Sequence, residues 1–267
     1  MISLYSGTPG SGKSYHAAYS MYHGLRFGHN YICNFNINLD NASLTFFSYI
    51  KKKLFPDTKK LKYKKLGKFL YVNNLELTPE FLLRYAKENH SMKKESETVV
   101  VIDECGLIFN PRIWNNKDRL KWIEFLSLHR HYGFDFILIT QSDRLIDRQI
   151  RSFIEYDVKH RKINNFKLMG AILGFLCGGT LFGCCTYWYG IREKVDFTFM
   201  KYSRRIASIY DTFLLFGEEE TSDGTGAADG KGCPLGGVPL TAAAPVAVPD
   251  VSHSPQPSGA DEELQQS

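Results

Sequence analysis

The most restrictive feature of the sequence is a glycine-rich loop close to its amino end. Residues 7–14 read GTPGSGKS, which matches the pattern G-x-x-x-x-G-K-[ST] at every fixed position. Residues 2–6 predict a short buried strand before the loop, and residues 13–26 predict a helix after it. Backbone N–H groups in such a loop, together with the positive end of the helix dipole, bind phosphate. The predicted nucleotide-binding residues are Gly7, Thr8, Pro9, Gly10, Ser11, Gly12, Lys13 and Ser14.

A second feature is an acidic pair at the end of an apolar run. Residues 98–104 read TVVVIDE, which is typical of a central strand buried on both faces of a parallel sheet. Beside a P-loop, Asp103 would hold Mg²⁺ together with Ser14, and Lys13 would reach the β- and γ-phosphates. Glu104 would polarise the attacking water. The sequence therefore predicts a catalytic site for ATP and Mg²⁺ in which Lys13 and Glu104 are catalytic residues.

The acidic pair also favours ATP hydrolysis over two other activities. A GTP switch would carry the guanine-reading pattern N-K-x-D after a strand, whereas residues 116–118 lack its spacer and begin a predicted helix. A small-molecule kinase usually needs no water-activating glutamate, and the sequence offers no recognisable acceptor site. Gln141 ends another predicted strand and is expected to sense the γ-phosphate beside Asp103. The alternative for Gln141 is a hydrogen bond to a neighbouring loop.

Four arginines are candidates for an arginine finger, which reaches the γ-phosphate of a neighbouring subunit in an oligomer. Arg130 is one of these candidates for a catalytic arginine. For any single arginine the alternative is a salt bridge or a solvated position. The other three candidates are Arg144, Arg148 and Arg151.

Hydrophobic periodicity predicts alternating strands and helices along the rest of the body. An α/β fold with a mainly parallel sheet and helices on both faces follows from that alternation. Thr78 and Pro79 predict a helix start at which Thr78 is the cap. Residues 40–69 predict an irregular insertion. The further predicted strands are 31–37, 69–74, 135–141 and 156–163, and the further predicted helices are 78–90, 117–133 and 143–154.

Composition divides the chain into a basic body and a different tail. The net charge is +5, and lysine and arginine crowd residues 51–68 and 144–167. Residues 217–267 are rich in Gly, Ala, Pro, Ser and acids, which predicts a disordered tail after an ATPase domain over residues 1–216. The six cysteines form no C-x-x-C pair, which indicates a reducing compartment, and no signal peptide is expected.

The basic run at residues 51–67 has two interpretations. Apolar side chains are interleaved with its lysines, which suits contact with phosphates of single-stranded DNA or lipid. The alternative, slightly favoured, is a solvated insertion without a partner.

Several motifs occur in an order that resembles a known family. They are SGTPGSGKS, VVVIDECGLIFNPRIW, HRHYGFDFILITQ, DRQIRSFIEYDVKHRK and IASIYDTF. Together they resemble the N-terminal domain of the zonula occludens toxin family, which includes inner-membrane assembly ATPases of filamentous phages. That family looks related to the FtsK–HerA branch of P-loop motors. The resemblance covers residues 1–216 and implies that His129, Arg130 and Gln141 act as sensors.

The resemblance implies ATP-driven extrusion of single-stranded DNA virions through the inner membrane of a bacterial host, with the ATPase domain in the cytoplasm. Implied partners are further copies of the chain, phage coat and DNA-binding proteins, single-stranded phage DNA and an outer-membrane secretin. The alternative is an ATP-gated membrane scaffold without motor activity. Family members commonly continue into a transmembrane helix and an extracytoplasmic domain after the YDTF motif. That region carries the toxin activity, which is therefore not expected here.

Residues 168–191 form an uncharged apolar stretch for which two structures stay open. The stretch is long enough for a transmembrane helix, which needs about 20 residues, and basic residues precede it. Its glycines weaken a helix, and the segments CCTYWYGI and VDFTFMKY predict a β-hairpin across residues 192–194 instead. The family resemblance favours the hairpin, whereas hydropathy favours the span.

Overall fold

An eight-stranded sheet organises the computed structural model, which describes residues 1–54, 62–91, 94–112, 116–163 and 179–210. The strand order is β3-β2-β4-β5-β1-β6-β7-β8. Every neighbouring pair from β3 to β6 is parallel, and β7 and β8 are added antiparallel. The predicted mainly parallel sheet is confirmed. The strands are Ile2–Ser6 (β1), Asn30–Cys33 (β2), Phe69–Tyr71 (β3), Thr98–Ile102 (β4), Phe134–Ile139 (β5), Tyr156–Lys162 (β6), Leu181–Trp188 (β7) and Lys194–Lys201 (β8).

Helices cover both faces of the sheet, as predicted. One hydrophobic core lies between the sheet and helices α4, α5 and α6, and the other lies between the sheet and α1, α2 and α7. The helices are Lys13–Phe27 (α1), Leu39–Ser43 (α2), Phe46–Leu54 (α3), Pro79–Asn89 (α4), Asn116–Ser127 (α5), Arg148–Arg151 (α6) and Arg204–Ala207 (α7).

Strand β4 shows why continuous apolar runs form the centre of this sheet. Val100 and Ile102 belong to one core, whereas Val101 between them belongs to the other, and all three side chains are fully buried. Successive side chains of a strand point to opposite faces, so a strand with helices on both sides needs an apolar residue at every position. Each such burial contributes about 1.5–3 kcal/mol.

The helix start at Thr78 has the predicted geometry. The Thr78 hydroxyl accepts a hydrogen bond from the backbone N–H of Phe81 at 3.2 Å, and Pro79 occupies the first helical position. Proline is favourable there because its missing N–H has no partner within the helix.

Two segments differ from the sequence-based expectation. Residues 39–54 are largely helical rather than irregular, since they form α2 and α3. The helix predicted over residues 143–154 is interrupted: a 3₁₀ turn over Asp143–Leu145 precedes the single turn of α6. The interruption lies at the buried Asp147, whose carboxylate accepts from the N–H of Gln149 at 2.8 Å and from Arg119 at 3.2 Å. An aspartate that caps α6 cannot at the same time continue a helix from the preceding turn.

Within the apolar stretch at residues 168–191, the described part from residue 181 forms a strand and not part of a membrane-spanning helix, and the predicted hairpin is confirmed there. Residues 181–188 are β7, which pairs with β6 on one side and with β8 on the other. Phe182 and Cys184 of β7 lie in the core beside α1. The neighbouring strands β6 and β8 supply backbone hydrogen-bond partners that an isolated segment lacks. Each helix of the described residues is too short or too polar to cross a bilayer. Residues 164–178 and the tail predicted to be disordered lie outside the described residues.

Candidate active site

The glycine-rich loop connects β1 to α1 and needs glycine for its shape. Gly7, Gly10 and Gly12 have φ angles of 144°, 71° and 98°, a region that side chains with a Cβ rarely adopt. At Gly12 a Cβ atom would also lie 2.6 Å from a ring carbon of Phe182 in β7. The loop therefore packs directly against the hairpin, a contact that the sequence pattern does not reveal.

Two polar groups of the loop fit a phosphate. The Lys13 ammonium donates to the carbonyl oxygens of Gly7 at 2.9 Å and Thr8 at 3.2 Å, so it is folded back onto its own loop. The buried Ser11 hydroxyl has no hydrogen-bond partner among the described residues. An unsatisfied buried hydroxyl is costly, and an anion bound at the loop would give Ser11 a partner.

The predicted Mg²⁺ ligands lie together. The Ser14 hydroxyl donates to a carboxylate oxygen of Asp103 at 3.1 Å, although 89 residues separate the two in sequence. Hydroxyl and carboxylate oxygens are the ligands that Mg²⁺ prefers.

Two further residues, both missed at the sequence level, hold Asp103 in place. The Asn34 side chain accepts from the N–H of Asp103 at 2.7 Å and donates to its carbonyl oxygen at 2.8 Å. The Tyr210 hydroxyl donates to the same Asp103 carboxylate oxygen that Ser14 contacts, at 3.1 Å. Burial, and then the negative charge of Asp103, raise the pKa of Tyr210. Tyr210 begins the YDTF motif, so this motif could have identified it as a functional residue. Asn34 follows β2, and no sequence motif marks it.

Glu104 follows Asp103 in a strained backbone conformation. Its φ is 46°, in the left-handed region, and its N–H donates to Asp103 at 2.9 Å. Its side chain is exposed. A non-glycine residue in this region costs about 1–3 kcal/mol, and such strain clusters at functional sites.

Gln141 follows the carboxyl end of β5. Strand β5 runs between β1 and β4, with Ile139 opposite Tyr5 on one side and Leu138 opposite Ile102 on the other. The carboxyl end of β5 therefore opens between the loop and the acidic pair. Gln141 lines a cavity of about 590 Å³ together with Gly7 and Thr8.

Strand β6 supplies charged residues to the same cavity that sequence reasoning did not assign to the site. They include Asp157, Lys159 and Arg161. The Ser6 hydroxyl donates to Asp157 at 2.6 Å, and the ammonium of Lys159 lies 3.8 Å from the same carboxylate. Burial raises the pKa of Asp157, and the contacts with Ser6 and Lys159 oppose that rise. The excess of basic side chains makes the cavity suitable for an anion.

Arg130 does not join the other predicted residues. It precedes β5, so it lies at the amino edge of the parallel strands, opposite the loop. Its guanidinium forms a salt bridge with Glu155 at 2.7 Å, and the neighbouring His129 contacts the amino group of Met1 at 3.3 Å. A sensor role for His129 or Arg130 at the nucleotide of their own chain is therefore wrong, because parallel strands put their two ends on opposite edges. A finger role toward a neighbouring subunit stays a prediction.

Comparison with known proteins places this arrangement in a family. The family model described as zonular occludens toxin (Zot) matches residues 1–173 of the chain. The chain belongs to the zonular occludens toxin family. The Gene 1 protein of Enterobacteria phage I2-2 is 34% identical to this Zot-family chain over 107 residues, which are 39% of the chain and 29% of the phage protein. The chain thus matches less than a third of the length of that relative.

A solved helicase structure has the same fold as the Zot-family chain. A DnaB-like replicative helicase has a TM-score of 0.50 at 8% identity, covering 76% of this chain and 56% of the helicase chain. The N-terminal domain of zonular occludens toxin from Neisseria meningitidis has a TM-score of 0.43 at 16% identity, covering 79% of this chain and 98% of that domain. With its loop and parallel sheet, the chain has the fold of a P-loop NTPase.

Proposed function

We propose that the chain hydrolyses ATP at the carboxyl edge of its parallel strands. The observation that carries the proposal is the 3.1 Å contact between Ser14 and Asp103, because it joins the loop to the acidic strand end. The exposed Glu104 follows Asp103 directly, and Gln141 lines a cavity together with Gly7 and Thr8 of the loop. Phosphoryl transfer to water needs three parts: a phosphate loop, a pair of oxygen ligands for a hard cation, and a carboxylate beside them.

Each residue has a role in this proposal. Lys13 leaves the carbonyl oxygens of its own loop and binds the β- and γ-phosphates, while the loop N–H groups and Ser11 hold the remaining phosphate oxygens. Ser14 and Asp103 hold Mg²⁺, which neutralises charge on the phosphates when bound. Glu104 orients and polarises the attacking water, and Gln141 contacts the γ-phosphate side of the cavity.

Membership of the Zot family and similarity to a phage Gene 1 protein support a role in filamentous-phage assembly. On this proposal ATP hydrolysis drives extrusion of single-stranded DNA virions through the bacterial inner membrane. The chain acts as a homo-oligomer on the cytoplasmic side of that membrane, with coat protein, DNA-binding protein, single-stranded DNA and an outer-membrane secretin as partners. The domain comprises residues 1–216, followed by the tail at 217–267.

The second candidate is an ATP-gated scaffold that recruits coat and DNA-binding proteins without motor activity. The folded-back position of Lys13 favours a nucleotide-dependent change in the loop, which both candidates share. Stimulation of ATP turnover by single-stranded DNA separates them, because only a motor couples hydrolysis to DNA.

The site is tested by comparing Glu104→Gln with Lys13→Ala in purified protein. Glu104→Gln is expected to keep nucleotide affinity and to lower turnover by about 100-fold or more, whereas Lys13→Ala is expected to lose both. Glu88→Gln, an exposed change on α4, is the matched control. Undiminished turnover in Glu104→Gln would remove Glu104 as the water-activating residue.

A further inference from the structure

Three potential metal ligands from separate elements meet behind the phosphate loop. His16 belongs to α1, His160 to β6 and Cys184 to β7. Their ligand atoms all lie within 4.8 Å of one another. Nδ1 of His16 and Nε2 of His160 are 2.8 Å apart, and His160 and Cys184 are buried. The proposed hydrolysis of ATP uses none of these three side chains.

The hydrogen bonding of His160 turns its Nε2 toward His16, whose Nδ1–H it accepts, and a metal bound there would replace that hydrogen bond. Nδ1 of His160 lies 3.2 Å from the carbonyl oxygen of Ser6. A carbonyl oxygen can only accept, so Nδ1 carries the proton and Nε2 directs its lone pair toward His16. Metal-binding histidines commonly donate their second N–H to a backbone carbonyl, which fixes both tautomer and ring orientation.

His16 is also held in position. Its ring stacks on Tyr5 with centroids 4.6 Å apart and planes 12° from parallel. Neutral imidazole is the form that binds metals. Cysteine binds metals as the thiolate, so metal binding would release the proton of Cys184.

We propose that His16, His160 and Cys184 bind a thiophilic divalent cation of the Zn²⁺ class. Two imidazole nitrogens and one thiolate are typical ligands of Zn²⁺, whereas Mg²⁺ takes oxygen ligands. The chain thus has two cation sites of opposite preference: an oxygen pair at Ser14 and Asp103, and this nitrogen–sulfur set.

The bound ion would join the loop and its helix to the outer part of the sheet. His16 lies two residues after Ser14, and a Cβ at Gly7 would lie 2.7 Å from the His160 carbonyl oxygen. An ion held by α1, β6 and β7 therefore fixes the elements that surround the phosphate loop, and its role is structural.

The proposal is tested on the full chain, stripped of metal with a chelator and then titrated with Co²⁺ without nucleotide. A thiolate ligand produces a charge-transfer absorption band with Co²⁺, and Zn²⁺ is expected to displace it at one ion per chain while excess Mg²⁺ does not. Cys184→Ser is expected to lose the band and to weaken Zn²⁺ binding by at least about tenfold. His16→Gln is expected to weaken Zn²⁺ binding in the same way.

Two controls make the result specific to Cys184. Cys185→Ser changes the adjacent residue of β7, and Cys105→Ser changes a buried cysteine elsewhere; both are expected to keep the band. Absence of the band in the unaltered chain would overturn the proposal whether or not the variants fold. Retention of the band in Cys184→Ser would also overturn it, since another thiol would then be the ligand. Either failure leaves the proposed ATP hydrolysis untouched.

Discussion

The parallel strands and the β7–β8 hairpin belong to one sheet but are stabilised differently. All five residues of β1 are buried, whereas β8 is exposed at every position except Met200. Strand β1 thus depends on burial on both faces, and β8 at the other edge of the hairpin depends mainly on hydrogen bonds to β7. Yet the hairpin supplies Phe182 against Gly12, so a peripheral element forms part of the phosphate loop's surroundings. An element at the edge of the sheet can therefore still contribute to the site.

The largest expected difference between the two regions is in stability. Phe136 of β5 is fully buried, whereas Phe199 of β8 is 56% exposed. Phe136→Ala is expected to lower the free energy of unfolding by about 3–5 kcal/mol, because it removes a large apolar side chain and leaves a cavity. Phe199→Ala is expected to change it by about 0.5 kcal/mol or less. Chemical denaturation measures both, and equal losses would contradict the comparison.

The contact between the loop and the hairpin gives the next largest effect. Gly12→Ala is expected to lower ATP turnover by about 100-fold, since its methyl group would collide with Phe182 and displace the loop. Gly28→Ala is the control: Gly28 has a similar φ of 92° but lies at the end of α1 with open space around it. Adding Phe182→Ala is expected to restore part of the lost turnover. No restoration would mean that backbone strain alone explains the loss.

A smaller effect is expected at Tyr210, which follows the hairpin and α7. Tyr210→Phe removes the hydrogen bond to Asp103 but keeps the ring against Phe35, whose centroid lies 5.0 Å away. Loss of this bond is expected to lower the free energy of unfolding by about 1 kcal/mol. Tyr19→Phe on the exposed side of α1 is the control and is expected to have little effect. An unchanged stability in Tyr210→Phe would argue that the bond contributes nothing to holding the strand end.

The smallest effect is expected at the opposite edge of the parallel strands. Arg130→Ala is expected to lower the free energy of unfolding by less than about 1 kcal/mol at pH 7, because the ion pair between Arg130 and Glu155 is partly exposed. Burial raises the pKa of Glu155, but the hydrogen bond from Arg130 and the nearby positive charges bring that pKa below its ordinary value. A carboxyl with a lowered pKa stabilises the fold above the unfolded pKa of about 4.3 and loses that contribution as pH falls.

The difference in the free energy of unfolding between Arg130→Ala and the unaltered chain should therefore shrink below about pH 4.3. Chemical denaturation at several pH values would detect this change. ATP turnover of the same variant, measured at concentrations where the chain assembles, tests the finger prediction. Unchanged turnover would contradict a role for Arg130 toward a neighbouring subunit.

Sequence reasoning succeeded where residues act through local spacing or continuous burial. The loop at residues 7–14, the strand before Asp103 and the cap at Thr78 are all present as predicted. It failed for Arg130, because the motif HRHYG carries no information about which edge of the sheet it occupies. It also missed Asn34, Tyr210 and the charged side of β6, since single residues that meet across a sheet leave no periodic pattern.

The sequence by itself determined that a phosphate loop and an acidic strand end exist, because glycine φ angles and apolar runs are local requirements. Only the tertiary structure decided that residues 181–188 are a strand rather than part of a membrane-spanning helix. An uncharged segment satisfies either environment, and the open edge of β6 supplied the hydrogen bonds that selected the sheet. The same strand then brought Cys184 to two histidines and Phe182 to Gly12, contacts between residues more than twenty positions apart that no local pattern contains.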